Sequence, residues 1–179
     1  MKKMIVVTLL VVIPLLLAVG SAAKPDLVVN KEKVTVQFAA DAINASGAKI
    51  DHLIALPEWN NTWEIYFSYK DGNVFLAEGI SDSGILYMGT TRPLKNMPDE
   101  GPCALIRSAN SANYFTMPSR PVVIFRIEDD YFEARSQYTY GQTVSQNELT
   151  DYFRSVDITI GDRYSGSQTL KYAYGNWSK

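Results

Sequence analysis

Trp63-Glu64-Ile65-Tyr66-Phe67-Ser68-Tyr69-Lys70-Asp71-Gly72-Asn73-Val74-Phe75-Leu76-Ala77 decides the fold class. Trp63, Ile65, Phe67 and Tyr69 fall on alternate positions, the period of a strand with one buried face. Asp71-Gly72 then marks a hairpin turn in which both residues take positive φ. Asn73 to Gly79 returns, Ser81-Asp82-Ser83-Gly84 makes a second turn, and Ile85 to Gly89 is a third strand. Upstream, Ile50 to Leu56 is an apolar run that stops at Pro57. Lys49 to Thr91 therefore reads as an antiparallel meander.

Working outward, Lys24 to Lys33 is a polar, extended lead-in. Val34 to Ala45 predicts a short helix, with Val34, Phe38, Ala42 and Ala45 on one face and Gly47 as its stop. Beyond the meander, Arg92 to Pro102 is a loop with three prolines, and Ala104 to Phe115 predicts a helix broken near Asn110. Met117 to Pro121 is another loop. Val122 to Ile127 and Tyr131 to Tyr138 form a second hairpin around Glu128-Asp129-Asp130. Ser145 to Val156 carries the strongest helix signal: Ser145 and Glu148 form a capping box ahead of the stripe Leu149, Tyr152, Phe153, Val156. Asp157 to Ile160 and Gln168 to Tyr174 are expected as closing strands across a turn at Gly161 to Ser167. The expected architecture is α+β: an antiparallel sheet, meander plus second hairpin, with two or three helices packed on one face. One domain is expected over residues 34–179. A two-part duplication (34–91 and 103–179) competes with simple convergence of hairpins, because Phe75-Leu76-Ala77 is echoed by Phe132-Glu133-Ala134.

The first 23 residues bear on location. Lys2 and Lys3 precede an apolar run from Met4 to Val19, and Gly20-Ser21-Ala22-Ala23 follow. That is the layout of a signal peptide cleaved before Lys24, and equally of a retained membrane anchor helix. Either places the remainder outside the cytoplasm: secreted, periplasmic or at the cell surface. No cysteine ends the run, which excludes a bacterial-type lipid anchor. The full chain has 17 basic and 19 acidic residues, a net charge of −2. Without Lys2 and Lys3 the balance is −4, which argues against nucleic acid and against an anionic membrane surface as partners. Cys103 is the one cysteine, so no intrachain disulfide can form.

Residues 34–90, with Trp63 to Ala77 and Ile80-Ser81-Asp82-Ser83-Gly84-Ile85-Leu86-Tyr87-Met88, resemble the PepSY-type module. Its pattern is an Ala-rich helix, a strand, a Y-E-V-like strand and a return ending in D-x-x-G-x-I/V. The resemblance implies an extracytoplasmic module that binds other proteins, and it implies no catalytic residue.

The chemistry-bearing residues are sparse. His52 is the one histidine, which leaves a His52–Cys103 dyad as the sole thiol-imidazole arrangement and leaves histidine-based zinc or copper sites without enough ligands. Glu58, Glu64, Glu78, Asp82, Asp99 and Glu100 can supply an acid pair. Asp71-Gly72 and Asp129-Asp130 lack the oxygen donors calcium needs and read as turns. No catalytic residue, cofactor or metal is expected. Eleven Tyr, seven Phe and three Trp suit protein contacts as well as sheet packing. The candidates for partner contact are Trp59, Asn60, Trp63, Arg92, Tyr164, Tyr172, Tyr174 and Trp177. Asn44, Asn60 and Asn176 head N-x-S/T sequons. The expected function is a non-enzymatic, extracytoplasmic protein-interaction module, free or as an anchored accessory subunit of an envelope complex. A small-ligand or sensor domain is the alternative, followed by a carboxylate-dependent hydrolase.

Overall fold

A computed structural model describes residues 25–56, 58–59, 61–114 and 120–177, with Tyr114 described by its backbone alone. The signal or anchor segment lies outside the described residues. The chain runs β1 (Val28–Asn30), a 3-10 turn, α1 (Val36–Ala45), β2 (Lys49–Leu56), β3 (Thr62–Ser68) and β4 (Val74–Ile80). It continues, after a second 3-10 turn, with β5 (Ile85–Pro93), α2 (Pro102–Tyr114), β6 (Val123–Ile127), β7 (Tyr131–Thr139), β8 (Thr143–Ser145), α3 (Gln146–Ser165) and α4 (Gln168–Tyr174). Six strands form one antiparallel sheet in the order β2-β3-β4-β5-β7-β6, and β1 pairs with β8.

Strand alternation divides the sheet cleanly. Leu53, Ile65, Ala77, Met88, Ser136 and Val123 stand in one cross-strand row toward the helices. Phe67, Phe75, Phe125 and Phe132 join Ile65, Ala77, Met88 and Val123 of that row in a single core with the buried stripes of the helices, while Leu53 on the edge strand stays exposed. Gly79 belongs to this face because Trp63 needs the space: a Cβ at Gly79 would lie 2.1 Å from the indole ring.

The helices follow local rules at their starts. The Thr35 side chain accepts the Phe38 N–H at 3.2 Å, so the β-branched Val34-Thr35 stays outside α1 and caps it. Ser145 accepts the Glu148 N–H at 3.0 Å and opens α3. Pro102 begins α2, where its missing N–H costs nothing.

Several expectations are corrected. Asp157 to Ile160 is not a strand, and Gly161 to Ser165 is not a turn: α3 runs on as a helix to Ser165. Val156, Ile160 and Tyr164 extend the buried stripe, so tertiary packing outweighs the β-branched Ile158-Thr159-Ile160. Gly161 breaks nothing, since its bare Cα makes room for Trp177, whose Nε1 would sit 2.8 Å from a Cβ. Gln168 to Tyr174 is helix α4, capped by Ser167 (Leu170 N to Ser167 Oγ, 3.2 Å), not a strand. Four helices therefore replace the expected two or three. α2 is unbroken at Asn110. In the β3–β4 turn only Gly72 has positive φ (82°), and Asp71 instead accepts the Asn73 N–H at 3.1 Å. Three residues, Lys70 to Gly72, close the turn with glycine at its left-handed end. The lead-in is not merely extended: Val28–Asn30 pairs with β8 and a 3-10 turn follows.

Candidate functional site

The helices cover one face of the sheet, and among the described residues nothing covers the other. Its central row runs His52, Tyr66, Leu76, Gly89, Arg135, Ile124 across all six strands. The adjacent row is Ile54, Glu64, Glu78, Tyr87, Gln137. Exposed apolar side chains continue to the rim at Val74 and Ile124. Between β4 and β7 the face dips into a shallow hollow of about 270 Å³.

Glycine at position 89 shapes that hollow. Arg135 stands opposite Gly89, and with no side chain beside it the guanidinium folds across the Tyr87 ring, 4.2 Å from its centroid. The same guanidinium meets Glu78 at 3.3 Å. Glu78 in turn stands directly opposite Glu64, two like charges that disfavour each other in a cross-strand pair. Glu64 accepts the Tyr66 hydroxyl at 3.2 Å. The Glu64 charge, with lesser help from burial, raises the Tyr66 phenol above its ordinary range. The result is a half-buried layer of aromatic rings with one guanidinium, paired to Glu78, between two carboxylates, of which Glu64 has no ion-pair partner among the described residues.

The two sheet edges differ. Along β6, Phe125 donates its N–H to Asn113 Oδ1 (2.7 Å) and its carbonyl accepts from Asn113 Nδ2 (3.0 Å). Arg163 takes the Val123 carbonyl at 3.0 Å. Helix side chains thus occupy the main-chain groups that another strand would use. Among the described residues no segment pairs with the outer side of β2, where the run His52 to Leu56, without acids, lysines or arginines, follows a register shift at Asp51.

The predicted contact residues scatter. Trp59 is 68% exposed at the β2–β3 turn, beside the open edge, and Tyr172 is 56% exposed on α4. Trp63, Tyr164, Tyr174 and Trp177 are core side chains and are unavailable to a partner. The Tyr164 hydroxyl donates to the Gly175 carbonyl at 2.7 Å, with the Leu170 carbonyl at 3.0 Å. Arg92 is an internal clasp. It bonds the Asn176 and Trp177 carbonyls at 2.6 and 2.9 Å and the Asn73 side chain, and lies 4.6 Å from the Trp177 ring centroid. Burial lowers its pKa. The Pro-rich loop is strapped down as well, with Lys95 and Asn96 N–H groups on the Ala173 carbonyl at 2.7 and 3.1 Å. Asn60 lies outside the described residues. Asn44 and Asn176 are exposed, but Ser46 of the first sequon is buried with its hydroxyl on the Ile43 carbonyl.

The dyad is ruled out by topology. His52 sits on β2 and Cys103 on α2, which packs against β6, five strand spacings or about 24 Å away. Of the six candidate carboxylates, the fold brings Glu64 and Glu78 together. What composition could not show is the open face itself, since alternation reveals that a strand has two faces and not which one a helix covers. No protein-family model matches the chain, and no curated protein matches it either.

Proposed function

We propose that this chain is an extracytoplasmic protein-interaction module that seats a protein partner on the open face of its six-stranded sheet, next to the unpaired edge of β2. The observation that carries the reading is the uncovered face, with Tyr66, Leu76 and Tyr87 at its centre and Ile54 and Ile124 toward its edges. Six strands spaced about 4.8 Å apart and about seven residues long present roughly 600 Å² in projection, close to the ~800 Å² each partner gives to a standard interface. Aromatic residues with an Arg among them suit such contacts. The PepSY-like pattern of residues 34–90 agrees with a binding role, and the N-terminal segment with a place at the envelope as a free protein or an anchored accessory subunit.

The test is native mass spectrometry of the protein gently extracted from its own cells, beside Leu76→Glu and Tyr87→Glu on the open face and Arg107→Glu on α2. The reading expects a companion protein with the wild type and with Arg107→Glu, and its loss from both sheet variants while their circular dichroism is unchanged. A companion that survives both sheet substitutions, or the absence of any companion, refutes it.

A further inference from the structure

Between α2 and the C-terminal half of α3 lies a second cavity, of about 440 Å³, on the helical side of the molecule. Its size is that of a small-molecule site. Two guanidiniums, Arg120 and Arg163, and one carboxylate, Asp162, line it, and Asp162 pairs with Arg120. Arg163 forms no ion pair among the described residues and spends one of its five N–H donors on the Val123 carbonyl. The cavity therefore holds an uncompensated single positive charge. Burial and the neighbouring Arg120 both push the Arg163 pKa down, as expected of a cation lacking a counter-ion. Ser108 and Ser111 line the α2 wall with hydroxyls. Thr159, 1% exposed, lies against the cavity with its own hydroxyl unpartnered among the described residues. Ala112 supplies an apolar patch.

We propose that this cavity binds a small organic monocarboxylate, its carboxylate on the Arg163 guanidinium and its apolar body against Ala112. The charge count selects the class. One negative charge neutralises the site, whereas a phosphate dianion overshoots it and faces Asp162. The planar guanidinium fork also matches a carboxylate in two-point geometry.

The full chain is titrated with hexanoate, and separately with hexylamine and inorganic phosphate, while amide shifts are followed by NMR. Saturable shifts at Ser111, Thr159 and Gly166 with hexanoate, absent with hexylamine and weaker with phosphate, are expected. Arg163→Gln should weaken hexanoate at least about tenfold, the equivalent of one lost charge-assisted hydrogen bond. That variant also loses the Val123 bond, so Ser108→Leu provides a second test: it narrows the cavity, leaves Arg163 in place and should weaken hexanoate likewise. No saturable shift at those amides, an equal response to hexylamine, tighter binding of phosphate, or hexanoate affinity unchanged in either folded variant overturns the proposal.

Discussion

Asp157 sits on α3 with one carboxylate oxygen buried and without a hydrogen-bond partner. Burial, reinforced by the charge of Asp71, raises its pKa from 3.8 to about 6, and a bond from the Trp177 indole N–H only partly offsets this. The folded state therefore holds the Asp157 proton more tightly than the unfolded chain does. The sign follows: this group makes no unfavourable contribution below about pH 4, costs progressively more as pH rises toward 6, and costs a constant amount above that. A shift of about two units corresponds to roughly 3 kcal/mol, and the side chain's partial exposure screens this to about 1–2 kcal/mol. Asp157→Asn keeps an acceptor for the indole and removes the charge. It should match the wild type near pH 4 and exceed it by about 1–2 kcal/mol at pH 7, or about 3–6 °C in melting temperature for a chain of this size. Urea and thermal unfolding of both proteins from pH 4 to 8 measure the difference, in which the other carboxylates cancel. A gap between the two proteins that stays constant with pH, or that favours the wild type at pH 7, refutes the argument.

Gly161→Ala sets helix propensity against packing. Propensity alone favours the alanine by about 1 kcal/mol in a helix interior, yet its Cβ meets the Trp177 indole at 2.8 Å. A net destabilisation of about 1–3 kcal/mol is expected by urea unfolding, with a blue or red shift of Trp fluorescence, and any gain in stability contradicts the packing account. Asn113→Ala strips the β6 edge of its cap and leaves the Phe125 N–H and carbonyl unpaired, at a cost of about 1–3 kcal/mol. The same variant should associate in a concentration-dependent way by sedimentation, because the exposed edge is then free to pair. A variant that is both monomeric and as stable as wild type removes the capping role.

The strands were legible because period-two alternation and turn residues are local signals. Trp63, Ile65 and Phe67 point to one face whatever lies beyond them, and Ser81-Asp82-Ser83-Gly84 turns the chain on its own. The Ser145 cap of α3 is legible for the same reason, although the Glu148 side chain accepts the Tyr138 hydroxyl instead of closing the box. In the C-terminal third local and global preferences disagree. Ile158-Thr159-Ile160 favours a strand and Gly161 favours a break, yet Phe153, Val156, Ile160 and Tyr164 also keep helical spacing, and burial of that stripe decides the outcome. The aromatic-rich C-terminus suggested a contact surface because aromatics serve both interfaces and cores. The bond from Arg92 to the Trp177 carbonyl, which turns the last residues inward, joins positions 85 apart in the chain.

The unequal treatment of the two sheet edges bears most directly on how this fold can meet a partner. At β6 the protein commits an Asn and an Arg from two different helices to main-chain groups of one short strand. Such capping keeps a sheet from extending in that direction, and natural sheets manage their edges because uncovered ones aggregate. At β2 the devices seen among the described residues are the register shift at Asp51 and the Lys49–Asp51 pair, both at the start of the strand. The stretch His52 to Leu56 borders the open face on one side and exposed Trp59 at its end. A partner approaching from that side finds edge, face and exposed indole together, while an approach from β6 finds hydrogen bonds already made. Substituting Ile54→Lys, at the junction of edge and face, should therefore weaken association about as much as Tyr87→Glu. A charge placed at Ile124, on the capped side, should weaken it less, and the reverse order would place the partner at the β6 end.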